Sequence, residues 1–184
     1  MNRADDVRVA YPLFQKESGG STPTSALKLW IEEIPWRDAV ILNNKWHSRM
    51  PKIGCGSMCK PCFAAMSDNI IYAIAMWSLP IAANRIKNGN RCLELRRMAI
   101  APDAPKYTAS FMLGKMKMLI KKSRPDILRL LSYQDTGVHK GTIYKAAGWY
   151  IARKSKFVSW DTHSKRPGIL NQSTSDKIRW EYEL

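Results

Sequence analysis

The sequence predicts a single α/β domain in which a mixed, mostly antiparallel sheet is flanked by helices. Six short segments read as strands, by alternating side-chain character or as continuous apolar runs bounded by turns. Three others have helical spacing or helix boundary signals, and they fall between the strands, an order that lays helices onto a sheet. With 184 residues, 45% of them hydrophobic, the chain can bury one core without help from disulfides.

Residues 1–23 run through a polar stretch with Gly19 and Gly20 adjacent and read as a weakly ordered arm, so the domain proper is 24–184. In ALKLWIEEI (26–34), Leu27, Leu29 and Ile31 alternate with Lys28, Trp30 and Glu32, which is strand periodicity. Pro35 opens a helix, WRDAVILNNKW, with Asp38 near its positive end, and Pro51 stops any continuation. CFAAM (62–66) and IIYAIAMWS (70–78) flank Ser67-Asp68-Asn69 and form a hairpin.

CLELRRMAI (92–100) is the central strand, and regular alternation sends Arg96 and Arg97 to opposite faces. TASFMLGKMKMLIKK (108–122) places Met112, Met116 and Leu119 at helical spacing. ILRLLSY (127–133) is a further strand, HKGTIYKAAG a short helix capped by Gly148, and WYIARKSKFVSW (149–160) the last strand.

Thirty Lys and Arg against fifteen Asp and Glu give a formal charge of +15. No fold requires that excess, and it points to a polyanionic partner. Cations interleave with aromatics in KWHSR and in RKSKF…HSKR…DKIRW, favouring nucleic acid over a membrane surface. The longest apolar run, residues 70–77, is too short to span a bilayer, and no signal-peptide pattern opens the chain, so an intracellular protein is expected. Cys55, Cys59 and Cys62 have metal-site spacing, and a structural zinc with His47 as fourth ligand is the sharper reading. Reduced cysteines that bind nothing are the plainer and favoured one.

Three separated segments, WHSRMP (46–51), LELRRMAIAPDAPKYTAS (93–110) and SYQDTGVHKGTIYKAAGW (132–149), resemble in order the motifs of the Mom family of phage DNA-modification proteins. The Tyr144 to Trp149 stretch also resembles the cofactor-binding half of GCN5-related N-acetyltransferases. The resemblance implies that fold, acetyl-CoA and a redox iron as cofactors, and double-stranded DNA as partner in the cytoplasm of a bacterial host. It also implies conversion of adenine to N6-(carbamoylmethyl)adenine, which hides DNA from restriction endonucleases. The oligomeric state, a homodimer included, is left open.

Each motif residue has a sharp and a plain reading. His47 is a general base or metal ligand, or else a packing residue. Asp135 follows a strand at its carboxyl end, where it can accept a proton, orient His47 or share a metal with it, or simply make an Asx-turn. Tyr144 is a proton donor to the departing thiolate and a cofactor contact, or a core tyrosine. Arg97 occupies the family's important arginine position, and the plain alternative is an ion pair with Glu94.

Ala101, Thr108 and Ser110 line the expected phosphate cradle at the start of the long helix, where the competing role for Thr108 or Ser110 is an N-cap. The loop there holds Pro102 and Pro105 and no glycine, a departure from the usual acetyltransferase pattern. Lys45, Trp46, Arg49 and Trp149 are the candidate DNA contacts, with Trp46, Trp149, Tyr150 and Trp160 as candidate stacking partners for an extruded base. Two other functions compete: an ordinary acetyltransferase on a protein or small amine, and a non-catalytic basic DNA-binding module.

Overall fold

The computed structural model describes residues 22–47, 60–80, 91–156 and 175–184. Among them the elements run β1 (Trp30–Glu33), α1 (Trp36–Trp46), β2 (Cys62–Ser67), β3 (Ile70–Ser78), β4 (Cys92–Ile100), α2 (Thr108–Ser123), β5 (Arg129–Asp135), α3 (Thr142–Ala146), β6 (Tyr150–Ser155) and β7 (Lys177–Glu183). The strands form one sheet in the order β1-β2-β3-β4-β5-β7-β6, antiparallel throughout except for β4 beside β5. The α/β class, the hairpin and the central strand are as expected from sequence. Asp68 and Asn69 both take positive φ at the hairpin turn, a conformation short polar side chains tolerate.

Two corrections concern elements. The first predicted strand is shorter: Ala26–Lys28 is a 3-10 turn in which the Ser25 hydroxyl accepts from the Leu27 N–H, and β1 begins only at Trp30. The strand after α3 is not the last, because β7 follows it in sequence and inserts between β5 and β6. DKIRW therefore belongs largely to a paired strand and not to a basic arm. Ile178, Trp180 and Tyr182 turn toward the core side, and Trp180 is 2% exposed.

The sheet has two packed faces. Under α2 and α3 lies an aromatic and methionine-rich core containing Trp77, Met112, Met116, Tyr144, Trp149 and Trp180. Under α1 lies a smaller one of Val40, Leu42, Ala64, Ile74, Met76 and Ala99. Antiparallel partners share a face, so Arg97, paired with Met76, points to the α1 side, and Leu95, paired with Trp77, points to the α2 side.

The skip from Arg97 to Leu95 opposite consecutive β3 residues makes Arg96 a bulge. Its guanidinium reaches Glu94 at 3.6 Å, two residues back on the α1 side. Both arginines thus lie on one face, correcting the expectation from regular alternation: the extra residue resets the phase, and nothing local in the sequence announces it.

Candidate active site

β4 and β5 pair in parallel over four positions, from Cys92 with Arg129 to Leu95 with Ser132, and then part. Ala101 donates its N–H to Tyr72 on β3 at 2.8 Å and accepts from Ala104 at 3.1 Å. Its backbone is committed away from the gap, so it does not serve the cradle as expected. Because N–H and C=O direction alternates along a strand, Met98 and Ile100 present theirs to the gap instead. These two were missed in the sequence, since the direction depends on pairing.

Behind the gap, on the α2 and α3 side, Tyr144 is 7% exposed; its hydroxyl bonds Ser132 at 2.9 Å and its ring stacks on Trp180 at 5.3 Å. Burial pushes its phenol up, so it stays protonated at neutral pH. A proton donor thus sits at the last rung before the strands separate. Thr108 donates its hydroxyl to Pro105 O at 2.7 Å and Ser110 to Tyr107 O at 3.0 Å. Both hydroxyls are spent on backbone, and Tyr107, not either of them, takes the N-cap position, in the left-handed region at φ 69°.

What the start of α2 offers an anion is its first-turn N–H groups and Lys106. Open clefts adjoin it: one of about 440 Å³ between α2 and α3, lined by Ser110, Gly114, Lys115, Lys117, Ala147 and Gly148, and one of about 540 Å³ near Lys106, Tyr107 and Phe111. A Cβ built on Gly114 would meet nothing within 4 Å. Lys117 donates to Ala147 O at 3.0 Å, with its ammonium 4.2 Å from the Tyr182 ring centre.

In front of the gap, on the α1 side, His47 ends α1 with its backbone N–H on Asn43 O at 2.8 Å, while buried Nδ1 has no hydrogen-bond partner among the described residues. Burial lowers its pKa, with Arg97 and then His139 adding to the effect, so the imidazole is neutral at pH 7 and able to accept a proton. His139 is a neighbour the sequence reading did not single out. Its own N–H bonds Asp135 O at 3.0 Å and its carbonyl accepts from Gln134 Nε2.

Asp135 both makes the Asx-turn, accepting from Gly137 N–H at 3.0 Å, and pairs with Lys177 at 2.8 Å. On β5, Ser132 and Gln134 bond partners on the α3 side, so Tyr133 and Asp135 face the α1 side with Arg97. His47, Arg97, His139 and Asp135 therefore belong to the α1 side of the gap, and Tyr144 to the other side.

Of the DNA candidates, Lys45 is exposed and Trp46 half-buried against the α1 core, while Arg49 and Trp160 lie outside the described residues. Trp149 does not fit the role: it is 4% exposed and walled in by Trp77, Tyr144 and Tyr182. Cys55 and Cys59 also lie outside the described residues, and Cys62 is buried at the start of β2 among apolar neighbours. Among the described residues no three His, Cys, Asp or Glu form a metal-binding group. An iron shared by His47 and Asp135 does not fit this donor set, because the carboxylate already has an ammonium partner and Arg97 adds positive charge beside the imidazole.

A sheet whose two parallel strands part after four pairs, each followed by a helix on the same face, has the GCN5-related N-acetyltransferase fold. Solved structures agree: the ribosomal-protein-S5-alanine acetyltransferase from Vibrio fischeri superposes with TM-score 0.58 at 12% identity, covering 85% of this chain and 93% of that one. The ribosomal-protein-S18-alanine N-acetyltransferase from Escherichia coli gives 0.54 at 12% identity over 84% and 93%. A Bacillus subtilis acetyltransferase in complex with CoA gives 0.52 at 12% over 85% and 99%. Within that fold, this chain belongs to the Mom protein family, whose model matches residues 28–181. No curated protein sequence matches it.

Proposed function

We propose that the chain is an acetyltransferase-like DNA-modifying transferase acting on N6 of adenine in double-stranded DNA, as part of a route to N6-(carbamoylmethyl)adenine that protects the DNA from restriction endonucleases. The observation that supports it best is the gap itself, with open clefts beside the start of α2 on one side of the sheet and Arg97 near His47 on the other. A thioester cofactor fits the clefts: Met98 and Ile100 offer backbone groups to an extended amide arm, and Lys106, Lys115 and the first turn of α2 face its phosphates. When bound, that cofactor supplies an activated acyl carbon.

Tyr144 lies where a departing thiolate can take its proton, once the bond to Ser132 is exchanged. Neutral His47 accepts a proton on the opposite side, and Arg97 gives that side a fixed positive charge. Acyl transfer alone leaves a carbonyl on N6, so the carbamoylmethyl product needs a further reaction that the described residues do not furnish.

The names of the two ribosomal-protein acetyltransferases support a second reading, transfer to a protein amine. Nucleoside mass spectrometry of DNA from expressing cells separates the two. A modified deoxyadenosine, lost in His47→Ala, is the expected result; unmodified DNA beside newly acetylated protein overturns the first reading.

A further inference from the structure

Chemistry on an adenine N6 requires the base to leave the duplex, since that amine is engaged in pairing. The base then gives up its stacking, and an aromatic face at the reaction gap can restore it. Trp149 is enclosed by other rings. Tyr150 is on β6, two strands away from the gap, with its hydroxyl 3.0 Å from Glu183. Trp46 packs into the core beneath α1.

Tyr133 is different. It immediately follows Ser132, the last β5 residue paired with β4, and is 41% exposed. Its side chain lies on the α1 side of the sheet, as do Arg97 and Asp135. Across the ladder Tyr133 pairs with Arg179, and Arg179 with Arg153 on β6. One ring and two guanidiniums therefore form a row on a single face, running away from the gap. Glu181 lies 2.7 Å from Arg179, whose side chain is 13% exposed, and Arg129 has Glu183 at 2.8 Å and Glu181 at 3.6 Å, so two carboxylates balance these two guanidiniums and Arg153 is the exposed cation of the row. A ring beside a basic row is the combination that takes a base face together with adjoining phosphates.

We infer that Tyr133 is the platform on which the extruded adenine stacks, with the exposed Arg153, farther along the same row, beneath the neighbouring backbone. This rests on the adenine-modification reading for its substrate, and names a binding residue that the proposed reaction does not otherwise use. Position and exposure separate Tyr133 from Tyr144: Tyr144 is part of the buried floor, and Tyr133 stands at the rim.

The test uses the full chain and two single-stranded oligonucleotides of equal length at one salt concentration, oligo(dA) and its abasic counterpart. Wild type is expected to prefer oligo(dA). Tyr133→Ala should weaken oligo(dA) binding about tenfold, leaving abasic binding within about twofold, and Tyr133→Phe should keep the preference because the ring is what stacks. A Tyr133→Ala chain that binds both strands like wild type, or weakens on both equally, overturns the proposal. So does a wild type with no preference for bases.

Counting modified deoxyadenosine in cells keeps the two ideas apart. If wild type makes none, the adenine-modification reading falls while the oligonucleotide comparison still decides the stacking site. If wild type makes it and Tyr133→Ala makes as much, the stacking role falls and the function stands.

Discussion

The two faces of the sheet solve different problems with the same strands. Beneath α2 and α3, Trp77 stacks near Trp149 at 6.3 Å and donates its indole N–H to Met116 Sδ at 3.3 Å, while Tyr144 lies between Trp149 and Trp180. Beneath α1 and beyond it, the residues near the gap are His47, Arg97, Asp135 and a half-exposed Tyr133. The aromatic face fixes where β4 and β5 separate, and the charged face uses the opening that results. Buried area holds the first together, whereas electrostatic arrangement matters more on the second.

The contrast breaks most visibly at Trp77 or Trp180. Replacing either with Ala should cost about 3–5 kcal/mol in denaturant unfolding, against roughly 0.5 kcal/mol or less for Tyr133→Ala on the open face. Next comes Gly141, at φ +73°, where a Cβ would come 2.5 Å from Gln134 Oε1 and 2.7 Å from Trp180 Cζ2. Gly141→Ala should lose about 1–3 kcal/mol by the same assay and disturb the loop carrying His139.

Ser132→Ala strands the buried Tyr144 hydroxyl at a similar cost, about 1–3 kcal/mol, whereas the Ser132→Ala, Tyr144→Phe double variant should recover much of it, a coupling that a double-mutant cycle reads directly. Asp135→Asn keeps the Asx-turn acceptor and loses a partly exposed ion pair, so unfolding should shift by under about 1 kcal/mol while adenine modification falls much further. Stability and product moving together would deny the charged face its separate role.

The smallest effect, absent at pH 7, is titration of His47. Its folded pKa lies below the ordinary 6.5, so the unfolded chain takes up the proton first, and stability declines as pH drops below 6.5 toward the folded value. His47→Gln should flatten that part of the stability profile.

Much of the fold was legible because its signals are local. Met112 and Met116 kept their helical spacing, and Asp68-Asn69 their turn chemistry. The register-dependent features were not: the Arg96 bulge exists only against β3, and the committed backbone of Ala101 only against Tyr72. For β7 a signal was present, since Ile178, Trp180 and Tyr182 alternate with charged residues, but the same letters also read as a cation and aromatic arm. His47, Arg97 and Asp135 were singled out through motifs, and the structure places them on the same side of the gap. Trp149 was misread because sequence alone does not distinguish an aromatic that binds from one that packs, and His139 was overlooked because only folding brings it near His47.

The placement of β7 sets an order on assembly. Among the described residues β6 has no neighbour other than β7, and β5 has β4 on one side only until residues 177–183 arrive. These pairings span long stretches of chain, the kind that form late. A nascent chain therefore stays unfinished around its opening until this strand has been synthesised, and a partner recognising the row of β5, β7 and β6 side chains would ignore every shorter fragment.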